Sequence, residues 1–318
     1  MRSLFRLAAA LMLVAMAQIA QAQYPSKAIR IVVPFPPGGS ADAAARALAQ
    51  QMSLGLGQQV LVDNRPGADG VIASDHVAKS APDGYTFLFA TSSGLSFAPF
   101  ARKSLPYDVL NDFTPVGRIG TFGLFVFVHE SVPARTLADL VALAKAKPGA
   151  LNYGSANATS LLATMQFNKA SGLDMAHVPY KGDAQLVTDL VAGRIQLSFA
   201  AGAVLPHAKD GKLRVLATLL PGRSPLVPEA PTFAESGLPR VSVMAWAGLF
   251  GPAKLPLEVV ERVSRELAAA LGRADLREQF GRHAIDVTTS TPDEMGQTLR
   301  EQLGTWRNAV QAAGIQPD

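Results

Sequence analysis

The sequence predicts an α/β fold of two lobes, each a mainly parallel sheet flanked by helices. Short β-rich runs alternate with helical stretches, and this alternation begins twice, once near residue 29 and again near residue 124. Extended segments near residues 120–125 and 243–250 would carry the chain between the two halves. Two crossings of this kind form a hinge, on which the lobes can close.

The first lobe begins with the elements of a parallel sheet and its crossover helices. Its β-rich runs lie at residues 29–34, 60–63 and 86–91, and its helical stretches lie at residues 42–54 and 73–80. Gly55 directly follows the first helical stretch, where it would favour the left-handed turn that ends many helices.

The second lobe repeats this order. Its β-rich runs lie at residues 124–128, 151–153, 176–178, 197–200 and 215–218, and its helices at residues 137–147, 160–171 and 184–192. Thr136 and Asp139 have the spacing of a capping box, and Gly172 follows the next helix. Two amphipathic helices at residues 257–272 and 292–313, separated by a short extended run near residues 286–288, are expected to pack back on the first lobe.

The chain therefore divides into an export signal at residues 1–22, a first lobe of residues 23–122 and 243–318, and a second lobe of residues 123–242. Arg2 and Arg6 precede an apolar run at residues 7–17, and the small residues Ala20 and Ala22 follow it, as in a cleaved signal peptide. The run is shorter than the roughly 20 apolar residues of a transmembrane helix. We expect a soluble mature protein in the periplasm.

Composition and motifs argue against several classes of function. The chain has no cysteine, which excludes disulfides and thiolate chemistry. Its net charge of +4 without runs of like charge does not predict a nucleic-acid partner. The G-x-S-x-G and H-E-x-x-H motifs are absent, and the histidines lack metal-ligand spacing. We predict no enzyme activity, no metal site and no cofactor.

The most informative local feature is the segment VPFPPGGSAD at residues 33–42, which leads from a strand directly into a helix. Such a turn presents free backbone N–H groups at the positive end of a helix dipole, which suits an anion without Arg or Lys. The alternative is that Ser40 and Asp42 only cap the helix. The segment matches neither of the common nucleotide-binding motifs.

A second turn of this kind follows in the other half, in LNYGSANATS at residues 151–160. Two helix N-termini that face each other across a cleft would hold the two ends of a dicarboxylate, or a carboxylate and a polar tail. The segment ATSSG at residues 90–94 is a smaller candidate, whose hydroxyls either contact a ligand or cap the turn. Trp246 either lines the cleft or belongs to the core.

Further stretches carry a resemblance along the chain, in unbroken order from residue 24 to the C-terminus. They are YP at 24–25, IRIVVPFPPGG at 29–39, NRPGA at 64–68, PDGYT at 82–86, AK at 144–145, PG at 148–149, HVPYKG at 177–182, GKLRVLA at 211–217, APTFAESG at 230–237 and WAGL at 246–249. The sequence closely resembles the tripartite tricarboxylate transporter substrate-binding proteins, also called the Bordetella uptake gene family.

This resemblance implies a periplasmic-binding-protein-like fold and a receptor that presents a carboxylate to a membrane permease. It also nominates ligand-binding residues by position. They are Phe35, Pro37, Gly39, Ser40 and Asp42 in the first lobe, and Ser155, Asn157, Ala158, Thr159 and Ser160 in the second. Secondary candidates are Ser92, Ser93, Tyr180 and Asp183. The second turn departs from the family pattern, because it lacks glycines after Gly154 and has Leu161 where a histidine often opens the helix. This departure predicts a substrate that is less common in the family.

The expected partners are a small carboxylate and the integral-membrane permease subunits. The carboxylate is a dicarboxylate, a tricarboxylate, an amino acid or an aromatic carboxylate. We expect a monomer. Two other functions stay open from the sequence: a receptor that presents its loaded form to a sensor kinase, and a hydrolase or isomerase on an α/β scaffold.

Overall fold

The computed structural model of the protein describes residues 24–238 and 241–318, so the predicted export signal lies outside the described residues. The first lobe is built on a six-stranded sheet. Its strands are β1 (Ile29–Val33), β2 (Val60–Asn64), β3 (Thr86–Thr91), β4 (Phe113–Phe122), β10 (Ala245–Pro252) and β11 (Ile285–Val287). Its helices are α1 (Ser40–Leu56), α2 (Val71–Ala78), α3 (Ala98–Ala101), α8 (Leu257–Gly272), α9 (Ala274–Arg282) and α10 (Pro292–Ala313).

The second lobe is built on a five-stranded sheet. Its strands are β5 (Leu124–His129), β6 (Asn152–Ser155), β7 (Ala176–Pro179), β8 (Leu197–Ala201) and β9 (Leu213–Thr218). Its helices are α4 (Leu137–Ala146), α5 (Ala158–Ser171), α6 (Asp183–Val191) and α7 (Leu205–Lys209). Among residues 24–238 and 241–318, no helix combines the length and the apolar character that a membrane span requires.

Strand β1 shows how the first sheet is covered on both faces. Ile31 packs in a core cluster with Leu48 of α1, whereas its neighbour Val32 packs in a second cluster with Val77 of α2. Successive side chains of a strand point to opposite faces, so both positions must be apolar when helices cover both faces. This explains the apolar run of residues 31–33 in β1.

The predicted two-lobed α/β fold is confirmed, but the sheets are mixed rather than mainly parallel. The first sheet has the order β11-β4-β10-β3-β1-β2, and the second has the order β7-β6-β8-β5-β9. Strands β5 and β10, the first strands after the two crossings, each lie antiparallel to both of their neighbours. The alternation of strands and helices in the sequence does not reveal this, because each strand enters its sheet from the other lobe.

Several helix ends differ from the prediction. Helix α1 continues through Gly55 and ends at Gly57, which has φ 66° and donates its N–H to the carbonyl of Ser53. Helix α9 was not predicted, and it fills the stretch between α8 and β11. The capping box of Thr136 and Asp139 is confirmed, and Gly172 ends α5 in the left-handed conformation.

The lobes touch at the hinge through backbone atoms. The N–H of Gly123, between β4 and β5, donates to the carbonyl of Ala284 at 2.7 Å. Gly202, which follows β8, packs so closely on the His283 carbonyl that a Cβ at this position would overlap the carbonyl atoms. A side chain makes a further contact between the lobes: the Lys169 ammonium of α5 donates to the carbonyl of Ala312 in α10 at 2.7 Å.

Candidate functional site

A cavity of about 50 Å³ lies between the two lobes. Residues from both lobes and from both crossings line it: Phe35, Pro36, Gly39, Ser40, Ala41, Thr91, Ser92, Ser93, Phe122, Leu124, Asn157, Thr159, Asp183, Ala201, Ala245 and Trp246.

The two predicted helix N-termini meet at this cavity, but they are completed differently. Asn157 caps α5 with its own side chain, which accepts a hydrogen bond from the Ser160 N–H at 2.9 Å. The cap of α1 is Gly39, which has no side chain to offer. Instead, the Ser40 N–H donates across the cleft to the Asp183 carboxylate at 3.3 Å. A side chain of the second lobe therefore completes the helix of the first.

Hydroxyl groups hold the lobes together around the cavity. The hydroxyls of Ser92 and Thr159 are 3.2 Å apart, one from each lobe. The Ser93 hydroxyl accepts from the Ala158 N–H at 3.3 Å, and the Ser40 hydroxyl accepts from the Ala203 N–H at 3.2 Å. Each of these neutral hydrogen bonds contributes only about 1 kcal/mol to the contact between the lobes.

The cavity holds an unusual charge distribution. Asp183 is the only ionisable residue in its lining, which contains no Lys, Arg or His. Burial raises the pKa of the Asp183 carboxyl, and the hydrogen bond from Ser40 opposes this shift only in part. Within the described residues, Asp183 forms no ion pair.

Two polar groups of the lining have no partner among the described residues. The indole N–H of Trp246 and the hydroxyl of Thr91 are both buried without a hydrogen bond, and the two residues are 1% and 6% exposed. Buried polar groups are almost always paired with protein, water or ligand. An acceptor on a bound ligand is one partner that would satisfy them.

Comparisons with known proteins identify the family. The model of the tripartite tricarboxylate transporter family receptor, TctC, matches residues 44–315. The chain belongs to this family.

Relatives of the TctC family match nearly the whole chain. Protein BugT of Bordetella pertussis is 36% identical over 301 residues, which cover 92% of this chain and 90% of BugT. The solved structure of R. palustris Rpa4515 with adipate is 32% identical with a TM-score of 0.90, and the match covers 93% of this chain and 100% of that one. MatC from Rhodopseudomonas palustris with bound malate is 27% identical with a TM-score of 0.85, over 90% and 100% of the two chains.

Many of the nominated TctC-type ligand positions line the cavity. They are Phe35, Gly39, Ser40, Ser92, Ser93, Asn157, Thr159 and Asp183. They come from the β1–α1 turn, the end of β3 and the first turns of α5 and α6. The carboxyl ends of strands and the amino ends of helices converge here, as open α/β sheets place their ligands.

The structure does not bring the other nominated residues to the cavity wall. Pro37 lies in the same turn but outside the lining. The Asp42 carboxylate accepts from the Gly38 N–H at 3.0 Å and from Arg46, so it shapes the turn from within the first lobe. Burial alone would raise the pKa of Asp42, but the bonds from Arg46, Gly38 and Asn64 lower it.

Three of the remaining nominated residues are engaged inside the second lobe. Ser155 bonds to His177, Ser160 donates to the Phe199 carbonyl, and Tyr180 donates to Asp189 at 2.9 Å. Ala158 offers only its backbone N–H, which the Ser93 hydroxyl accepts. None of these four residues belongs to the cavity lining.

The residues nominated from the sequence do not include most of the apolar side chains that line the cavity. The residues omitted are Pro36, Ala41, Thr91, Phe122, Leu124, Ala201, Ala245 and Trp246. Apolar side chains carry no chemical signal for a site, although Thr91 and Trp246 lie in segments that the sequence marks as candidates. The useful signal is position, because Phe122, Leu124 and Ala245 stand at the two crossings.

Trp246→Phe is expected to weaken carboxylate binding by about tenfold, because one hydrogen bond contributes about 1 kcal/mol or slightly more. Trp306→Phe is the matched control: Trp306 is also fully buried with an unpartnered indole N–H, but it packs on Phe97 away from the cavity lining. Calorimetric titration of both variants measures the effect. Equal losses of affinity in the two variants would contradict a role for the Trp246 N–H.

Asp183→Asn is expected to raise the midpoint of thermal unfolding at pH 7 and to lose this advantage in acid. Burial raises the pKa of Asp183 in the folded protein above that of the unfolded chain, so the ionised group lowers the free energy of unfolding at neutral pH. The cost shrinks as the pH falls through the raised pKa and is gone below the unfolded pKa of about 3.9. Thermal unfolding from about pH 3 to pH 8 measures the difference in melting temperature between the two proteins. A difference independent of pH would contradict a raised pKa of Asp183.

Proposed function

We propose that this protein is an extracytoplasmic solute receptor, which captures a small carboxylate between its lobes and delivers it to a tripartite tricarboxylate-type membrane permease. The observation that carries the proposal is the cavity between two helix N-termini of opposite lobes, into whose lining Trp246 and Thr91 bring unpartnered polar groups. Such a site stabilises an anion with N–H and O–H donors rather than with cations. We also propose that residues 1–22 are an export signal and that the lobe boundaries fall after residues 122 and 242.

The relatives support the class of ligand. One solved relative holds adipate and another holds malate, and both are small carboxylates. We extend that chemistry to this chain because the helix N-termini and hydroxyls of its cleft are suited to the same group. Closure of the hinge on the ligand is then the mechanical step that a permease would recognise.

The structure contains one pair of residues that resembles part of a hydrolytic site. The Ser155 hydroxyl is 2.7 Å from the His177 ring nitrogen, the spacing of a serine and its base. Neither residue lines the cavity, and within the described chain no carboxylate bonds to the second ring nitrogen of His177. The pair therefore joins two neighbouring strands, β6 and β7, and gives no support to an enzymatic function.

The test is a thermal-shift screen of residues 23–318, unfolded and refolded to remove any ligand that purifies with the protein. The panel contains mono-, di-, tri- and aromatic carboxylates. A ligand at about 100 times its Kd adds about 2.7 kcal/mol to the free energy of unfolding, which gives a clear shift. The proposal expects a shift with at least one acid, recovered unchanged. Conversion of the acid would indicate an enzyme, and no shift with any acid would overturn the proposal.

A further inference from the structure

The charge of the cleft indicates which carboxylates it accepts. We propose that Asp183 makes this receptor select monocarboxylates with an amino group at the far end over dicarboxylates of the same length. This inference rests on the proposed function and concerns the same cavity.

Asp183 occupies one of the two places where the sequence predicts a bound anion. It is the first residue of α6, and its carboxylate accepts from the Ser40 N–H at the start of α1. A Cβ on Gly39 would lie 3.2 Å from the same carboxylate oxygen, so this oxygen sits directly against the helix cap. The protein's own carboxylate thus takes the position that a second ligand carboxylate would need.

Other residues of the lining offer donors for one carboxylate. Thr159 and Ser92 place hydroxyls there, and the Trp246 indole is a donor without an acceptor. The two hydroxyls bond to each other, so one of them keeps its hydrogen free to donate to an anion, together with the Trp246 N–H, and none of these groups carries a charge. A ligand therefore has one end that fits these donors and another end that must face Asp183.

A second ligand carboxylate would face Asp183 without any compensating cation. The lining contains no Lys, Arg or His, and like charges repel more strongly in a closed cavity than in water. An ammonium group at the same place would instead pair with the Asp183 carboxylate. The raised pKa of Asp183, caused by burial, agrees with a carboxylate that lacks a counter-charge until a ligand brings one.

The test compares pairs of acids that match in length and differ in the far end. The pairs are β-alanine with succinate, 4-aminobutyrate with glutarate, and 5-aminopentanoate with adipate. Calorimetric Kd values are measured for the wild type, Asp183→Asn and Asp183→Ser. The matched control is Asp189→Asn, which removes the same charge from the same helix but bonds to Tyr180 and Arg194 outside the cavity.

For each pair of acids that binds, the Kd of the wild type is expected to be lower for the amino acid than for the dicarboxylate by about tenfold or more. Both Asp183 variants should move this ratio by about tenfold toward the dicarboxylate, and Asp189→Asn should leave it unchanged. Three outcomes would overturn this inference but not the proposed function. They are a wild type that prefers the dicarboxylate, a Kd ratio that Asp183→Asn leaves unchanged, and binding of other acids of the panel but none of these six. Binding of no carboxylate by any of the proteins would overturn the proposed function itself.

Discussion

Gly39→Val is expected to weaken carboxylate binding by about a hundredfold, because a β-branched side chain at the cap of α1 would fill the space where the lobes meet. Gly39 has φ −89° and ψ 175°, which any residue can adopt, so the loss would not come from backbone strain. A Cβ at this position already lies 3.2 Å from the Asp183 carboxylate, and the two methyl groups of valine extend further.

The control for Gly39→Val is the loss of a nearby cation. Arg46 bonds to Asp42 in the first turns of α1 and is a positive charge close to the β1–α1 turn, but it does not line the cavity. Arg46→Met should therefore reduce the affinity less than Gly39→Val, as measured by calorimetry. If Arg46→Met abolishes binding while Gly39→Val leaves the affinity intact, recognition by backbone N–H groups is wrong.

Gly202→Ala is expected to lower the free energy of unfolding by about 1–3 kcal/mol and to hold the lobes apart. The added Cβ would overlap the carbonyl of His283 and approach the backbone nitrogen of Ala284. Backbone atoms cannot rotate away as a flexible side chain can, so the strain must be relieved by movement of one lobe against the other.

Thermal unfolding and the radius of gyration in solution measure the two effects of Gly202→Ala. Gly281→Ala is the matched control, because it lies close by in α9 and a Cβ there would contact nothing within 4 Å. Its melting temperature should stay at or above that of the wild type, since alanine favours a helix. A Gly202→Ala protein with the stability and compactness of the wild type would show that this contact does not limit closure.

The sequence predicts the element order of this fold well, and its failures have local causes. Helix α9 escapes prediction because Leu276 and Phe280, its buried residues, are the only apolar signal in a short charged segment. Gly55 looks like a helix end, yet α1 continues to Leu56, and Gly57 is its C-cap. Packing of α1 on α8 decides between the two glycines, and that information lies far away in the chain.

The site was predictable where chemistry and position coincide. Gly39 and Thr159 stand at helix N-termini, and both line the cavity. Asp42 stands in the same turn as Gly39, but its carboxylate turns back to the Gly38 N–H. The sequence ranks Asp183 as a secondary candidate and shows neither its contact with Ser40 nor the lack of cations around it. Both depend on how the two lobes close.

The central place of β10 in the first sheet sets an order of assembly in time. All strands of the second sheet lie within residues 124–218, so that sheet is complete once this length of chain is available. The first sheet separates into β2-β1-β3 and β4 until residues 245–252 arrive to join them. The sheet that contains the first strands of the chain therefore needs a segment made more than 100 residues after them, whereas all strands of the second sheet are available earlier.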